Sequence, residues 1–206
     1  IESIGIAIDA GADGVEIDIR LTADGEVVLL HDATLDRTGQ GHGPVAEARF
    51  EDVNRVGVPS LSQVLEFIDG RCALNVEIKA PESWTRAREI ARGEKKTDIW
   101  FSSFNMGLME TVVREGFPVG LLFSARRGTV SPAMLLDAAR RIKPRALHLP
   151  PELFFPELTG DGCVPVFIWT INDPAEAELL IDRGAAAIFT DDPALLDNTG
   201  TVYYFP

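Results

Sequence analysis

The sequence is poor in the residue types on which several classes of protein depend. Its 206 residues include only two cysteines, Cys72 and Cys163, which are too few for a disulfide framework and indicate free thiols in a reducing compartment. No apolar run approaches the roughly 18–20 residues of a transmembrane helix. These absences predict a cytoplasmic protein without a membrane span, and the cysteines do not have the spacing of a zinc site.

Positive charge is scarce as well. The sequence has 19 Lys and Arg against 32 Asp and Glu, a formal net charge of −13. Such an acidic chain is a poor partner for nucleic acid or for an anionic membrane surface. The sequence also lacks a Gly-rich phosphate loop after any predicted strand, and it has neither a Ser-His-Asp nor a Cys-His arrangement for nucleophilic catalysis. Its chemistry must therefore come from other groups.

The chain is organised around residues Gly14–Asp32, GVEIDIRLTADGEVVLLHD. Two apolar runs flank Asp24-Gly25, which is a strong hairpin signal because type I′ turns need positive φ at both central positions. With these two residues as the loop, Asp18 faces His31 across the hairpin. Glu16 lies two residues before Asp18, so it shares the same face. The pattern predicts two carboxylates and one imidazole on one surface.

These two carboxylates lie between apolar residues of one strand. Two like charges in such a place repel each other and are costly to desolvate. A divalent cation would relieve both problems, and oxygen ligands suit Mg²⁺ or Ca²⁺. The alternative is a solvated outer face with an exposed histidine, which is the usual fate of an acidic pair at i and i+2. Asp32, next to the histidine, either orients His31 or caps the loop, and the local structural role is favoured.

A second stretch, NVEIK at residues 75–79, again places charges at i and i+2 inside an apolar strand. Glu77 and Lys79 share a face. A structural ion pair is the alternative, but such neighbours on a strand are poorly placed to pair with each other. We therefore expect both to point at something shared, with Glu77 as a third metal carboxylate and Lys79 as a group that holds an anion.

The stretch GADGVEIDIRLTADGEVVLLHDATLDRTG closely resembles the glycerophosphodiester phosphodiesterases, which are TIM barrels that use one divalent metal ion. The resemblance continues through PSLSQVL, LNVEIKAPE, SSFN, GLLFS, VFIWTIND and IFTDDP, and so covers nearly the whole chain. It implies roles for six residues: the metal ligands Glu16, Asp18 and Glu77, the catalytic histidine His31, the lysine near the phosphate Lys79, and the site-lining aromatic residue Trp169.

The sequence departs from this family in one respect. The family begins with a strand carrying His-Arg-Gly, whereas this sequence starts at Ile1, inside the helix that follows that strand. The first catalytic histidine and its neighbouring arginine have no counterpart in it, because His42 and His148 occur in other contexts. Either the strand precedes Ile1 or the protein is a degenerate member of the family. His148 ends a predicted strand between apolar residues, and we expect it in the core.

Strand and helix patterns alternate along the chain, which is typical of a parallel sheet. Seven strands are predicted, starting at Val15 and near residues 73, 98, 119, 146, 164 and 186. With one strand missing, they predict an α/β fold, a (β/α)8 TIM barrel of the phospholipase C-like phosphodiesterase type. We expect one domain over residues 1–206, with the hairpin at 14–32 as an insertion. An open doubly wound sheet is the alternative.

The residues and the resemblance together predict metal-dependent hydrolysis of a small-molecule glycerophosphodiester to sn-glycerol 3-phosphate and an alcohol, with one Mg²⁺ or Ca²⁺ ion. His31 would move a proton and Lys79 would support the phosphate oxygens, while the attacker is either water or a substrate hydroxyl. A non-catalytic barrel that binds phosphodiesters or a partner is an alternative, suggested by the missing histidine. A lysophospholipase D-like enzyme is another, and it would need a wide apolar mouth for an acyl chain.

Overall fold

The structure is a computed structural model that describes residues 1–38, 41–192 and 202–204. The chain forms two compact units, one of Ile17–Ile99 with Ile1 and one of Glu2–Glu16 with Trp100–Pro206. Among the described residues, no helix combines the length and the apolar character that crossing a bilayer requires. The expectation of a single domain over residues 1–206 stays a prediction.

The described residues form α-helices and β-strands in alternation. The helices are α1 Glu2–Asp9, α2 Phe50–Arg55, α3 Leu61–Ile68, α4 Trp84–Gly93, α5 Met106–Arg114, α6 Pro132–Ile142 and α7 Pro174–Asp182. The strands are β1 Gly14–Leu21, β2 Val27–Leu29, β3 Ala73–Ile78, β4 Ile99–Ser103, β5 Val119–Leu122, β6 Ala146–Leu149, β7 Val166–Ile168, β8 Ala187–Thr190 and β9 Val202–Tyr204.

The first unit is built on the hairpin of β1 and β2. The strand order is β2-β1-β3, and β2 runs antiparallel to β1. Helix α3 begins at a capping box, in which the Ser60 hydroxyl accepts from the Gln63 amide at 3.2 Å and the Gln63 side chain accepts from the Ser60 amide at 2.8 Å. Such reciprocal bonds satisfy backbone donors that the helix itself leaves unpaired.

The second unit carries a run of parallel strands. Strands β4 to β9 pair in consecutive order, and each of these pairs is parallel. Strand β9 also pairs in parallel with the start of β1, where Gly14 lies opposite Tyr203 and Val15 opposite Tyr204. The seven predicted strands are thus present, and β9 is a further parallel strand that the sequence did not predict. Asp192-Pro193 is a sequence signal for the start of a short helix, and that predicted helix lies outside the described residues.

The hairpin is confirmed, but its predicted register is wrong. Ile19 pairs with Leu29, and the Leu30 amide donates to the Asp18 carbonyl at 3.0 Å. Asp18 therefore lies opposite Leu30 and not opposite His31. Three residues rather than two form the loop, because the Thr22 amide donates to the Glu26 carbonyl at 2.9 Å.

A type I′ turn does not form because only one of its two central residues takes a positive φ. Gly25 has a φ of +83°, whereas Asp24 is not among the residues with positive φ. The Asp24 carboxylate instead accepts from the Thr22 hydroxyl at 2.8 Å and from the Phe50 amide at 2.9 Å. A type I turn followed by a residue in the left-handed region gives a three-residue loop. The extra residue shifts every cross-strand pair by one position.

His148 lies in the core of the second unit, as predicted, but without hydrogen bonds. Its ring is fully buried in β6, stacked on Phe167 with ring centroids 5.4 Å apart and edge-on to Phe189 at 5.0 Å. Neither ring nitrogen has a hydrogen-bonding partner among the described residues. Burial lowers the pKa of His148 to about 3, so the ring is neutral at pH 7. A Cβ on Gly120 would overlap this ring, which explains the glycine in β5.

Replacing His148 with Phe should reduce the loss of stability in acid. The unfolded chain protonates His148 near its ordinary pKa of 6.5, but the folded chain does so only near pH 3. The free energy of unfolding is therefore highest above pH 6.5 and falls as the pH drops through this window, by up to about 1.4 kcal/mol per pH unit. Denaturant unfolding from pH 7 to 4 should show that His148→Phe lacks this slope. His42, whose side chain is 90% exposed, supplies the control, and His42→Phe should keep it. Equal slopes in all three proteins would contradict the assignment.

Candidate metal and active site

Strand β1 places Glu16 and Asp18 on one face, because side chains two residues apart on a strand point the same way. Glu16 is only 3% exposed, and Asp18 is partly buried. Strand β3 contributes Glu77, which is 5% exposed. One carboxylate oxygen from each of these residues lies within 4.8 Å of the other two. The structure thus brings together the three residues predicted as metal ligands.

Lys79 follows the last residue of β3 and reaches the same cluster. Its Nζ lies 2.8 Å from Glu77 Oε1 and 3.1 Å from Asp18 Oδ1. The expectation that Glu77 and Lys79 do not pair with each other is wrong. Lys79 shares the face of Glu77, and its long, flexible side chain lets the ammonium group reach back to Glu77 as well as across to Asp18. One ammonium group is therefore shared between two carboxylates.

Burial and charge oppose each other in this cluster. Burial raises the pKa of Glu77 above its ordinary value, and the positive charge of Lys79 offsets that effect only in part. Burial alone would lower the pKa of Lys79, but the charges of Asp18 and Glu77 outweigh it and the pKa is raised. Lys79 is therefore protonated, and it cannot neutralise both carboxylates by itself.

His31 is the exposed member of the site. Its side chain is 59% exposed, and its Nδ1 lies 2.7 Å from Asp32 Oδ1. Arg20 donates from Nε and Nη2 to the His31 carbonyl at 3.0 and 2.7 Å. His31 is within electrostatic range of Glu77, since its positive form acts against burial and lowers the pKa of that carboxyl. A bend after β2, rather than strand pairing, brings His31 to this position.

Trp169 lies in the second unit, directly after β7. Its ring is edge-on to Phe104, with ring centroids 6.0 Å apart. The indole Nε1 is buried and has no hydrogen-bonding partner within the described part of the chain. Its role in substrate binding stays a prediction. Asn105, the residue after Phe104, caps α5, because its side chain accepts from the Leu108 amide at 3.1 Å.

The carboxylate cluster is chemically suited to a hard divalent cation. All three groups that converge are carboxylates, and oxygen ligands are those that Mg²⁺ and Ca²⁺ prefer. Burial of Glu16 and Glu77 makes their negative charges costly unless a cation lies beside them. Glu16, Asp18 and Glu77 can therefore hold a metal ion.

Solved structures similar to this chain define its class. The glycerophosphodiester phosphodiesterase of Thermotoga maritima matches it with a TM-score of 0.84 and 29% identity, over 94% of this chain and 88% of that protein. A phosphodiesterase of Oleispira antarctica, solved in complex with the product sn-glycerol-3-phosphate, matches with a TM-score of 0.82 and 24% identity, over 95% and 87% of the two chains. The fold is the TIM-barrel fold of these phosphodiesterases, and the predicted fold class is confirmed.

Sequence matches identify the family. Residues 1–195 match the glycerophosphoryl diester phosphodiesterase family. A glycerophosphodiester phosphodiesterase of Caldanaerobacter subterraneus subsp. tengcongensis is 32% identical over 222 residues, which cover 93% of this chain and 87% of that protein. The chain belongs to the glycerophosphoryl diester phosphodiesterase family and is an enzyme of this type. The resemblance found in the sequence is confirmed.

Three charged residues around His31 were not predicted as part of the site. Asp32, for which a local structural role was favoured over orienting His31, bonds to the His31 ring, and Arg37 donates to the same carboxylate. Arg20 holds the His31 backbone. A signal for Arg20 was present, because it lies on the same face of β1 as Asp18. Nothing in the spacing of Arg37 could have identified it without the path of the loop.

Neutralising Glu77 should weaken metal binding. Glu77→Gln removes one of three converging carboxylates, and we expect the affinity for Mg²⁺ or Ca²⁺ to fall by about 100-fold or more. The metal-free variant should be at least as thermally stable as wild type, because burial favours an uncharged side chain here. Calorimetric titration and thermal unfolding measure the two effects.

The control for this variant is Glu82→Gln, which removes an exposed carboxylate shortly after the same strand. It should bind metal as wild type does. If Glu77→Gln binds metal as tightly as Glu82→Gln, Glu77 is not a ligand.

Proposed function

We propose that this protein hydrolyses glycerophosphodiesters to sn-glycerol 3-phosphate and an alcohol with the help of one Mg²⁺ or Ca²⁺ ion. The observation that carries the proposal is the convergence of Glu16, Asp18 and Glu77 within 4.8 Å in a chain of this family. The proposed product is the one named for the Oleispira antarctica structure.

The metal would be held by the same three carboxylates. When bound, it acts as a Lewis acid on the phosphate oxygens and offsets the charge that develops during hydrolysis. Lys79 is proposed as the second positive group. Its side chain is 17% exposed and its Nζ lies beside the cluster, so the ammonium group can also interact electrostatically with a phosphate oxygen.

His31 is proposed to move a proton. Its ring is more than half exposed, so a substrate can reach it. It either protonates the leaving alkoxide or deprotonates the attacking hydroxyl, which belongs to water or to the substrate itself. Trp169 is proposed as an apolar surface for the glycerol. The protein would act on a small soluble substrate in the cytoplasm.

The direct test is release of sn-glycerol 3-phosphate from glycerophosphocholine. The protein, with any residues that its gene encodes before Ile1, is assayed with Mg²⁺, with Ca²⁺ and after treatment with EDTA. We expect turnover that EDTA abolishes and one of the metals restores. Turnover that is unaffected by EDTA, or none with either metal, would contradict the proposal. Faster turnover of lysophosphatidylcholine than of glycerophosphocholine would favour the alternative hypothesis of a lysophospholipase D-like enzyme.

Replacing His31 should separate catalysis from metal binding. His31→Ala should lower kcat by about 10²–10⁴-fold, which is the usual contribution of a general acid or base. Its metal affinity should stay within about twofold of wild type, because His31 is not among the converging carboxylates. His42→Ala is the matched control and should leave both quantities unchanged. Loss of metal binding in His31→Ala would show that the ligand set is wrong.

Replacing Lys79 should have opposite effects on metal binding and on turnover. Lys79→Met removes a positive charge 2.8 and 3.1 Å from two of the ligands, so metal affinity should rise by about tenfold. Turnover should fall, since the group proposed to contact the phosphate is lost. Lys96→Met, which removes the lysine of the exposed pair with Asp69, is the control. Weaker metal binding in Lys79→Met would contradict this arrangement.

A further inference from the structure

The polar loop after β2 contains a chain of charged contacts that ends at His31. The His31 Nδ1 lies 2.7 Å from Asp32 Oδ1, and Arg37 Nε donates to Asp32 Oδ2. The side chains of His31 and Arg37 are 59% and 68% exposed, whereas that of Asp32 is 28% exposed. The carboxylate is therefore the best shielded of the three groups, and it is bonded on both oxygens.

The position of the proton follows from these contacts. The hydrogen bond with His31, and then the one with Arg37, hold the pKa of Asp32 below its ordinary value, so this carboxylate is ionised. An ionised carboxylate only accepts hydrogen bonds. The proton between Asp32 and His31 therefore lies on Nδ1, and the lone pair of the neutral ring lies on Nε2.

The backbone on both sides of this contact chain is anchored. Arg20 in β1 donates twice to the His31 carbonyl, at 3.0 and 2.7 Å. Leu30 and Leu35 lie on either side of His31 and Asp32 in the sequence, and both belong to one buried hydrophobic cluster. The ends of the segment are therefore packed, although the polar side chains between them are exposed.

We propose that Arg37 is a positioning residue that acts through Asp32 on His31. Arg37 binds one oxygen of the Asp32 carboxylate and so keeps the other oxygen turned towards the histidine. Asp32 in turn fixes the tautomer of the ring, and Arg20 fixes its backbone. The result is an exposed imidazole whose Nε2 is free to exchange a proton with the substrate. This inference rests on the proposed function for the identity of the substrate only, because the tautomer is a property of the protein itself.

The same loop supplies a matched comparison. His42 Nδ1 lies 3.3 Å from Asp36 Oδ1, and these side chains are 90% and 55% exposed. This pair also joins a histidine to an aspartate, but at a longer distance and with greater exposure. Asp36→Asn is therefore the control for Asp32→Asn. Arg55→Gln, which removes the arginine of an exposed ion pair with Glu51, is the control for Arg37→Gln.

Nitrogen NMR reports the tautomer of a histidine ring directly. The chain has three histidines, so the signals of His31 can be assigned. At about pH 8, where ordinary histidines are neutral, we expect the His31 proton on Nδ1 in wild type. Asp32→Asn replaces the acceptor with an amide that can donate, so the proton should move to Nε2. Arg37→Gln should give a mixture of both tautomers. Neither control should change the His31 signals.

Kinetics with glycerophosphocholine test the consequence for catalysis. Asp32→Asn should lower kcat by about 10²–10⁴-fold with little change in KM, as expected for a wrong tautomer. Arg37→Gln should lower kcat by about tenfold. Arg37→Lys should recover part of this loss, because lysine restores the positive charge but not the planar guanidinium group. Both controls should keep the kcat of wild type.

The two kinds of failure can be distinguished. An Nε2-protonated His31 in wild type, or an Arg37→Gln variant with unchanged tautomer and unchanged kcat, would overturn the role of Arg37. If wild type hydrolyses no glycerophosphodiester, the proposed function fails, and the NMR comparison of wild type with Arg37→Gln still decides whether the contact chain sets the tautomer.

Discussion

The burial of several carboxylates around one ammonium group, that of Lys79, is the constraint on which the rest of the site depends. The carboxylates of Asp18 and Glu77 are both at least partly buried, and burial makes their negative charge costly. One lysine cannot balance two carboxylates, and Glu16 adds a third within 4.8 Å of the others. The site is therefore a place in the fold where added positive charge is favourable. This is the electrostatic condition for binding a divalent cation.

The hairpin makes this concentration of charge possible. The pairing of β1 with β2 fixes the part of β1 that carries Asp18, because Ile19 lies opposite Leu29 and the Leu30 amide donates to the Asp18 carbonyl. The buried hydrophobic cluster that includes Val28, Leu30 and Leu35 packs around the start of the loop that follows. Burial of apolar side chains thus compensates for the cost of placing like charges together. It also fixes the base of the loop that carries His31.

Much of the fold and of the carboxylate cluster could be predicted from the sequence, because both follow from simple periodicity. Alternation along a strand places Glu16 with Asp18, and the apolar residues around Glu77 identify β3. The start of α7 also has a local sequence signal, an aspartate followed by a proline. In the structure the Asp173 side chain caps this helix by accepting from the Glu176 amide at 2.9 Å. These features depend on residues that are close in sequence.

The features that could not be predicted depend on small changes in backbone path. Whether Asp24 takes a positive φ decides the length of the turn, and one additional loop residue moved His31 away from Asp18. Lys79 pairs with Glu77 because its long side chain can bend back along the strand, which the alternation of a strand does not reveal. The contact between Arg37 and Asp32 depends on the path of a polar loop, for which no hydrophobic pattern exists. Such details are set by hydrogen bonds, whose geometry the sequence does not reveal.

The central claim is that the three carboxylates hold one divalent cation. Crystals of the protein soaked in Mn²⁺ or Ca²⁺ would test it most directly through an anomalous difference map. The account predicts one strong peak within about 2.0–2.6 Å of oxygens from Glu16, Asp18 and Glu77. A map in which the ion is bound by other residues, or in which no peak lies between these carboxylates at saturating metal, would contradict it.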